Sequence, residues 1–138
     1  MDSEILNLMG QLNRATQAAL QHSEVVRSLN IAVFPARILS IISRSPGRSQ
    51  QELAEVLERD KAQVTRTLRE LEDKGLITRP AHQTDWRALC PMLTDEGSRI
   101  ATLLNQERTS IAERMMRAVS NGEKTLLADL LHRMLNEI

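Results

Sequence analysis

Ser49-Gln-Gln-Glu52-Leu-Ala-Glu-Val-Leu57-Glu-Arg-Asp60-Lys-Ala-Gln63-Val-Thr-Arg-Thr-Leu68-Arg-Glu-Leu71-Glu-Asp-Lys-Gly75 is the stretch that decides the fold. It announces two helices through two start signals. Ser49 with Glu52, and Asp60 with Gln63, have the spacing in which a side-chain oxygen caps the third backbone N–H while the later residue reaches back. Gly75 supplies a left-handed stop for the second helix. Only Glu58 and Arg59 lie between the first helix and the second cap, which leaves room for a sharp helix-turn-helix and little else.

The second helix has two faces. At about 100° per residue, Val64, Leu68 and Leu71 fall on one apolar stripe. Lys61, Ala62, Thr65, Arg66 and Arg69 gather on the other side, towards the helix N-terminus, with Gln63 beside them. Short polar and methyl-bearing side chains mixed with cations are what a DNA major groove accepts: guanidinium to guanine edges, hydroxyl and methyl groups to mixed edges, cations to phosphate. A solvated helix face with ordinary charges is the alternative for an isolated helix; the tight corner, the paired caps and the residues after Gly75 argue for the groove. Those residues are Leu76-Ile-Thr-Arg79-Pro, a polar tip Ala81-His-Gln-Thr-Asp85-Trp-Arg87, and a second apolar run Ala88-Leu-Cys-Pro-Met-Leu93. Two short β runs around a polar loop predict a hairpin, and a hairpin placed here is a wing. Pro91 cannot donate to a ladder, so its strand is expected at an edge or bulged. Arg79 and Arg87 are candidate contacts to phosphate or minor groove, with Asp85 extending Arg87; a weak surface ion pair is the other account of Asp85 and Arg87.

The order of these parts, with Leu71-Glu-Asp-Lys-Gly-Leu-Ile-Thr-Arg79, Asp85-x-Arg87 and Leu93-Thr94-Asp-Glu-Gly97, resembles the multiple antibiotic resistance regulator (MarR) family of winged-helix repressors. The resemblance covers nearly the whole chain. It implies a recognition helix from Lys61 and a wing arginine, Arg87, entering the minor groove with Asp85 as its brace. Two positions depart from the pattern: Trp86 stands where a basic residue is common, and Pro91 interrupts the second strand. The implied fold is mainly α with a small β-hairpin wing. A single domain over 1–138 would hold the winged helix-turn-helix at about 35–94 and dimerisation helices at about 1–30 and 95–138.

Composition sets limits on this reading. The chain has 138 residues, one domain by size, and Phe34 and Trp86 are its only aromatics. Its core must therefore be aliphatic. Net charge is zero, from 18 basic and 18 acidic side chains, which excludes a protein that coats nucleic acid through bulk positive charge. Charge is instead sorted along the chain. Val25 to Gln51 has no acid but contains Arg27, Arg37, Arg44 and Arg48, whereas acids concentrate on Glu52, Glu55 and Glu58 and on Glu70, Glu72 and Asp73. No apolar run is long enough to span a membrane, and the polar start Met1-Asp-Ser-Glu is unlike an export signal; a cytoplasmic location is the expectation.

Flanking segments predict partners. Ile5, Met9, Leu12, Ala19 and Val26 recur at helical spacing from about Ser3 to Ser28. Asn30 and Phe34-Pro35 precede a second, strongly apolar helix carrying Ile38, Leu39, Ile41 and Ile42, which Ser45-Pro46-Gly47 ends. Thr94 looks like a cap for a helix with Ile100, Leu104, Ile111 and Met115 on one stripe, continuing to about Val119. Ser120-Asn-Gly-Glu123 is a further capping box, opening a last helix. Two adjacent columns on that helix, including Leu126, Leu127, Leu130, Leu131, Met134 and Leu135, exceed what it needs to pack on its own domain. A homodimer is expected, bringing two reading heads to one pseudo-palindromic site.

The MarR resemblance also implies a pocket for a small anionic or phenolic effector. His22, Arg37 and Arg44 lie in helices expected to border it; packing or solvent exposure is the plainer reading of each. Cys90 reads as an inert thiol, and no motif calls for a cofactor, a metal or catalysis. The expected function is sequence-specific binding of double-stranded DNA by a ligand-responsive repressor. The rival is a winged-helix scaffold for protein partners, whose interface core would be more apolar and aromatic.

Overall fold

The computed structural model describes residues 1–79 and 90–138. Its centre is a knot of short helices: α3 (Val33–Arg44), α4 (Gln50–Leu57) and α5 (Lys61–Asp73). Each turns an aliphatic stripe inward. Ile38 and Leu39 of α3, Leu53 of α4, and Val64, Leu68 and Leu71 of α5 are at most 1% exposed. They join Leu76, Ile77, Ile100, Ala101 and Leu104 in one continuous core, with Phe34 packed only at its margin. Burial of one such side chain contributes about 1.5–3 kcal/mol. The aliphatic composition is thus matched by an aliphatic core.

Caps fix where these helices begin. The Ser49–Glu52 box forms in full: Glu52 N donates to Ser49 Oγ at 3.1 Å, and Ser49 N donates to Glu52 Oε1 at 3.3 Å. Asp60 behaves differently from the expected box. Its short carboxylate accepts from Ala62 N at 2.7 Å, and Gln63 makes no reciprocal bond. The corner between α4 and α5 closes on Glu58, a non-glycine residue held at φ 51°. Arg59 N donates to Ala54 O and Glu58 N to Glu55 O, the pattern that ends a helix through a left-handed residue. A left-handed L-residue costs about 1–2 kcal/mol, so the sharp corner carries a small conformational penalty. Arg59 sits over the Phe34 ring, 5.5 Å from its centroid, and ties the corner to α3.

Gly75 stops α5 as the sequence predicts. At φ 74° it donates to Glu72 O, while Leu76 N donates to Leu71 O. The chain then enters β1 (Ile77–Thr78), which pairs antiparallel with β2 (Met92–Leu93), Ile77 opposite Leu93 and Thr78 opposite Met92. These strands are shorter than the apolar runs suggested. Pro91 precedes β2 and is buried, consistent with a residue that cannot join a ladder. The proposed wing tip, including Asp85, Trp86 and Arg87, lies outside the described residues.

After β2 the chain turns at once into α6 (Asp95–Met115). Thr94 makes the turn: its N–H donates to Leu76 O at 3.1 Å, its hydroxyl to Gly75 O at 2.6 Å, and the same oxygen caps Gly97 N at 3.1 Å. Gly97 lies directly against the Leu76 carbonyl, and a Cβ there would be far inside van der Waals contact with that backbone. Only glycine lets α6 begin at this point.

The ends of the chain differ from the sequence reading in one respect. The pattern from Ser3 to Ser28 is two helices, α1 (Asp2–His22) and α2 (Glu24–Ser28), separated by an extended Ser23. Ser23 accepts from Val26 N at 3.4 Å and so restarts the helix instead of continuing it. A short 3₁₀ turn, Met116–Ala118, follows α6 and leads to α7 (Asn121–Asn136), whose Ser120–Glu123 box forms as expected. Neither α1 nor α7 contributes a buried residue. Ile5 and Leu12 on α1, and Leu126, Leu130 and Leu135 on α7, are exposed in the single chain.

Gly97→Ala should destabilise the protein by about 3 kcal/mol or more, the upper end of overpacking costs, because the neighbour that must yield is backbone. Urea denaturation measures this; a parental midpoint would show that α6 can move away from Leu76 at no cost.

Candidate nucleic-acid interface

The outward face of α5 is built by its own core stripe. With Val64, Leu68 and Leu71 fixed inside, Lys61, Ala62, Arg66 and Arg69 are turned to solvent, and Gln63 and Thr65 are half-buried at the edge. From Lys61 to Arg69 there is no acidic residue; Glu70 is the first. Among the described residues, Lys61, Arg66 and Arg69 have no acid within salt-bridge distance. The face therefore offers three cations, a methyl group and a hydroxyl-bearing residue within three turns.

Thr65 is held from two sides. Its hydroxyl donates to Lys61 O at 2.7 Å and accepts from Gln50 Nε2 at 2.5 Å. Gln50 is the first residue of α4, and the sequence reading missed it. Local spacing carries no signal for this pair, because only the packing of α4 on α5 brings the two together.

Arg79 occupies a different position from that of a free cation. Its Nε and Nη2 donate to the two carboxylate oxygens of Glu72 at 3.3 and 3.2 Å, clasping the end of β1 to α5. The Arg79 hydrogen bonds hold the Glu72 carboxyl below the usual carboxylate range. Asp85 and Arg87 lie outside the described residues. Cys90 is a free thiol, half-exposed, with Sγ donating to Gly47 O at 3.3 Å.

Behind α3 lies a cavity of about 210 Å³, walled by α1, α2, α3 and α6, with Gln17, Leu20, Arg37, Ser40, Arg44 and Arg108 among its lining. Of the candidate effector contacts, Arg37 and Arg44 reach it. His22 does not: it is exposed, and its Nδ1 donates to Ala18 O at 2.7 Å on its own helix. Burial, and then the nearby Arg108 charge, lower the Arg44 pKa from its ordinary value. Gln17 and Arg108 come from helices distant in sequence, so periodicity alone did not single them out. Among the described residues no cluster of His, Cys, Asp or Glu could hold a metal ion. Nor, among those residues, is any helix long and apolar enough to cross a membrane.

Residues 36–89 match the MarR family model. The chain is 34% identical over 101 residues to the HTH-type transcriptional regulator YdgJ of Bacillus subtilis, covering 73% of this chain and 62% of YdgJ. The match thus spans less than two thirds of that relative's length. Residues 36–89 of the chain are thus a MarR family domain. A second Bacillus subtilis regulator of the same type, YybA, is 25% identical over 136 residues, 99% of this chain and 89% of YybA. Among solved structures, the reduced form of MarR from Escherichia coli superposes with a TM-score of 0.73 at 25% identity, covering 94% of each chain. A MarR family protein from Listeria monocytogenes, crystallised with a 26mer DNA, superposes with a TM-score of 0.81 at 22% identity, covering 96% of this chain and 87% of that one. The fold is thus the MarR winged helix, and the family match includes α4, the corner and all of α5.

The Glu72–Arg79 clasp should leave a signature in acid. A carboxyl with a depressed folded pKa stabilises the native state above its unfolded pKa, and that stability is lost as pH falls through the folded value. Glu72→Gln should therefore be less stable than the parent at neutral pH, with the gap closing in acid. Denaturation midpoints across pH test this; a gap independent of pH would mean that the pair makes no ionic contribution.

Proposed function

We propose that this MarR-family chain is a transcriptional regulator that binds double-stranded DNA as a homodimer, through α5, and represses by occupying its operator. One observation carries the proposal: α5 opens with an acid-free outward face bearing Lys61, Arg66 and Arg69, on a helix whose opposite side is locked in the core. Arg66, exposed at mid-helix, is the candidate for a bidentate contact to guanine; Lys61 and Arg69 serve phosphates. Ala62, Gln63 and Thr65 lie at the same edge. The proposed wing contact of Arg87, braced by Asp85, follows from the family resemblance. Arg79 is a brace for the strand, since its guanidinium is already engaged by Glu72. The Listeria relative bound to a 26mer DNA supports the DNA reading, and a regulator of this kind would act in the cytoplasm.

Dimerisation supplies what a single neutral chain lacks. Two copies of a weak contact give a strong bivalent one without any new interaction. The apolar faces left uncovered on α1 and α7 are the surfaces for that pairing. The cavity lined by Arg37, Arg44 and Arg108 is the proposed effector site. At about 210 Å³ it is smaller than pockets for drug-sized molecules, and its guanidinium groups select an anion, which makes a single-ring carboxylate the best-matched class.

Arg66→Ala should weaken operator binding by about 1–3 kcal/mol and relax the preference at one base pair. Arg69→Ala should weaken binding to all sequences and flatten the salt dependence by roughly one unit of slope for each phosphate left without its cation. Gel shifts over a range of salt concentrations measure both; absence of a salt-dependent complex would refute DNA binding and favour a protein-interaction scaffold. Sedimentation should give twice the 15.6 kDa chain mass. Leu130→Glu should shift it to one and weaken DNA binding, and a parent that sediments as a monomer at micromolar concentration would refute the dimer.

A further inference from the structure

Among the described residues, Thr65 is the member of the early outward edge of α5, Lys61 to Arg69, whose polar group is already committed. A threonine hydroxyl has a single hydrogen, and here it goes to Lys61 O at 2.7 Å. The contact from Gln50 must then be Gln50 donating, which agrees with the 2.5 Å approach of its Nε2. With its hydrogen used and one lone pair engaged, the hydroxyl has no donor left for a base edge. What Thr65 retains is its Cγ2 methyl. One turn earlier Ala62 exposes a second methyl, three residues away and so on the same side of the helix. Cations flank this pair at Lys61, Arg66 and Arg69.

We propose that Thr65 reads a thymine through its methyl group, and that Gln50 is a positioning residue that holds the Thr65 hydroxyl away from the DNA. The inference rests on the DNA-binding reading and specifies its base preference: an apolar contact to the C5-methyl of thymine, the group that distinguishes thymine in the major groove. Gln50 acts through Thr65. One Gln50 amide hydrogen fixes the hydroxyl.

The experiment uses the full chain and a duplex selected from random DNA by the parent protein. Each thymine in a half-site is replaced in turn by deoxyuridine, which removes only the methyl, and binding is followed by fluorescence anisotropy. One thymine per half-site should respond, with affinity falling about four-fold, the value of one buried methyl-sized group. Thr65→Val, which keeps methyl groups and loses the hydroxyl, should preserve that ratio. Thr65→Ser, which keeps the hydroxyl and loses the methyl, should bring it to about one. Gln50→Ala should lower the ratio while the melting temperature stays near the parent's. Failure of the parent to select any sequence would overturn the DNA reading and this inference together. A selected duplex insensitive to every uracil substitution would overturn the inference alone. Discrimination kept by Thr65→Ser and lost by Thr65→Val would show that the hydroxyl is the reader. An unchanged ratio in Gln50→Ala would remove Gln50 from its positioning role.

Discussion

The carbonyl of Leu76 is the junction on which the rest of the molecule depends. It follows directly on the glycine that ends α5, it accepts from Thr94 N, and the start of α6 lies against it because Gly97 has no side chain. Three elements are thereby locked within a few residues: the end of α5, the strand pair and the long helix that leads towards α7. α6 in turn buries Ile100, Ala101 and Leu104 in the same core as α3 and α5. A displacement of α6 therefore has no soft joint in which to dissipate. Packed interiors switch between discrete arrangements more readily than they deform, so the orientation of α5 is coupled to that of the outer helices.

Charge is organised by the same geometry. With 18 basic and 18 acidic groups, affinity for a polyanion depends on where charges face. The acids of α5 come late, and Glu72 among them is neutralised by Arg79, which in return is withdrawn from solvent. This exchange leaves the early part of α5 cationic and the strand anchored. A few exposed cations per chain would give weak, salt-sensitive binding, which the proposed pairing of two copies would strengthen.

Much of this was legible in the sequence because it is encoded locally. The Ser49 and Ser120 boxes, the Gly75 stop, the Thr94 cap and the two faces of α5 each depend on residues a few positions apart, and all form. The failures share a cause as well. Ser23 breaks a helix that periodicity alone would continue, since its oxygen can cap Val26 as readily as it can sit in a turn of helix. Gln63 is not the partner of Asp60, because the shorter carboxylate takes the nearer amide. His22 satisfies itself on its own helix, while Arg108 and Gln17 reach the cavity from elsewhere. Gln50 meets Thr65 across a helix–helix contact that no sequence period describes. Local rules located α5 and its two faces; tertiary packing decides which of its polar atoms remain unengaged.

The cavity and α5 are linked through α3. Ser40 lines the cavity and donates to Asn105 Oδ1 on α6 at 2.6 Å, and Asn105 Nδ2 donates to Ser43 Oγ at 3.2 Å, so a polar clasp joins α3 to α6 beside the space that Arg37, Arg44 and Arg108 surround. α3 also carries Ile38 and Leu39, which pack in the core shared with α4 and α5. A molecule in the cavity would touch both of these helices. In the proposed effector role it would shift the equilibrium between two spacings of α5 only by its difference in affinity for them, and the guanidinium groups of Arg37, Arg44 and Arg108 around one cavity are where such a difference would arise. Drawing such like charges together would cost electrostatic energy that a bound anion offsets.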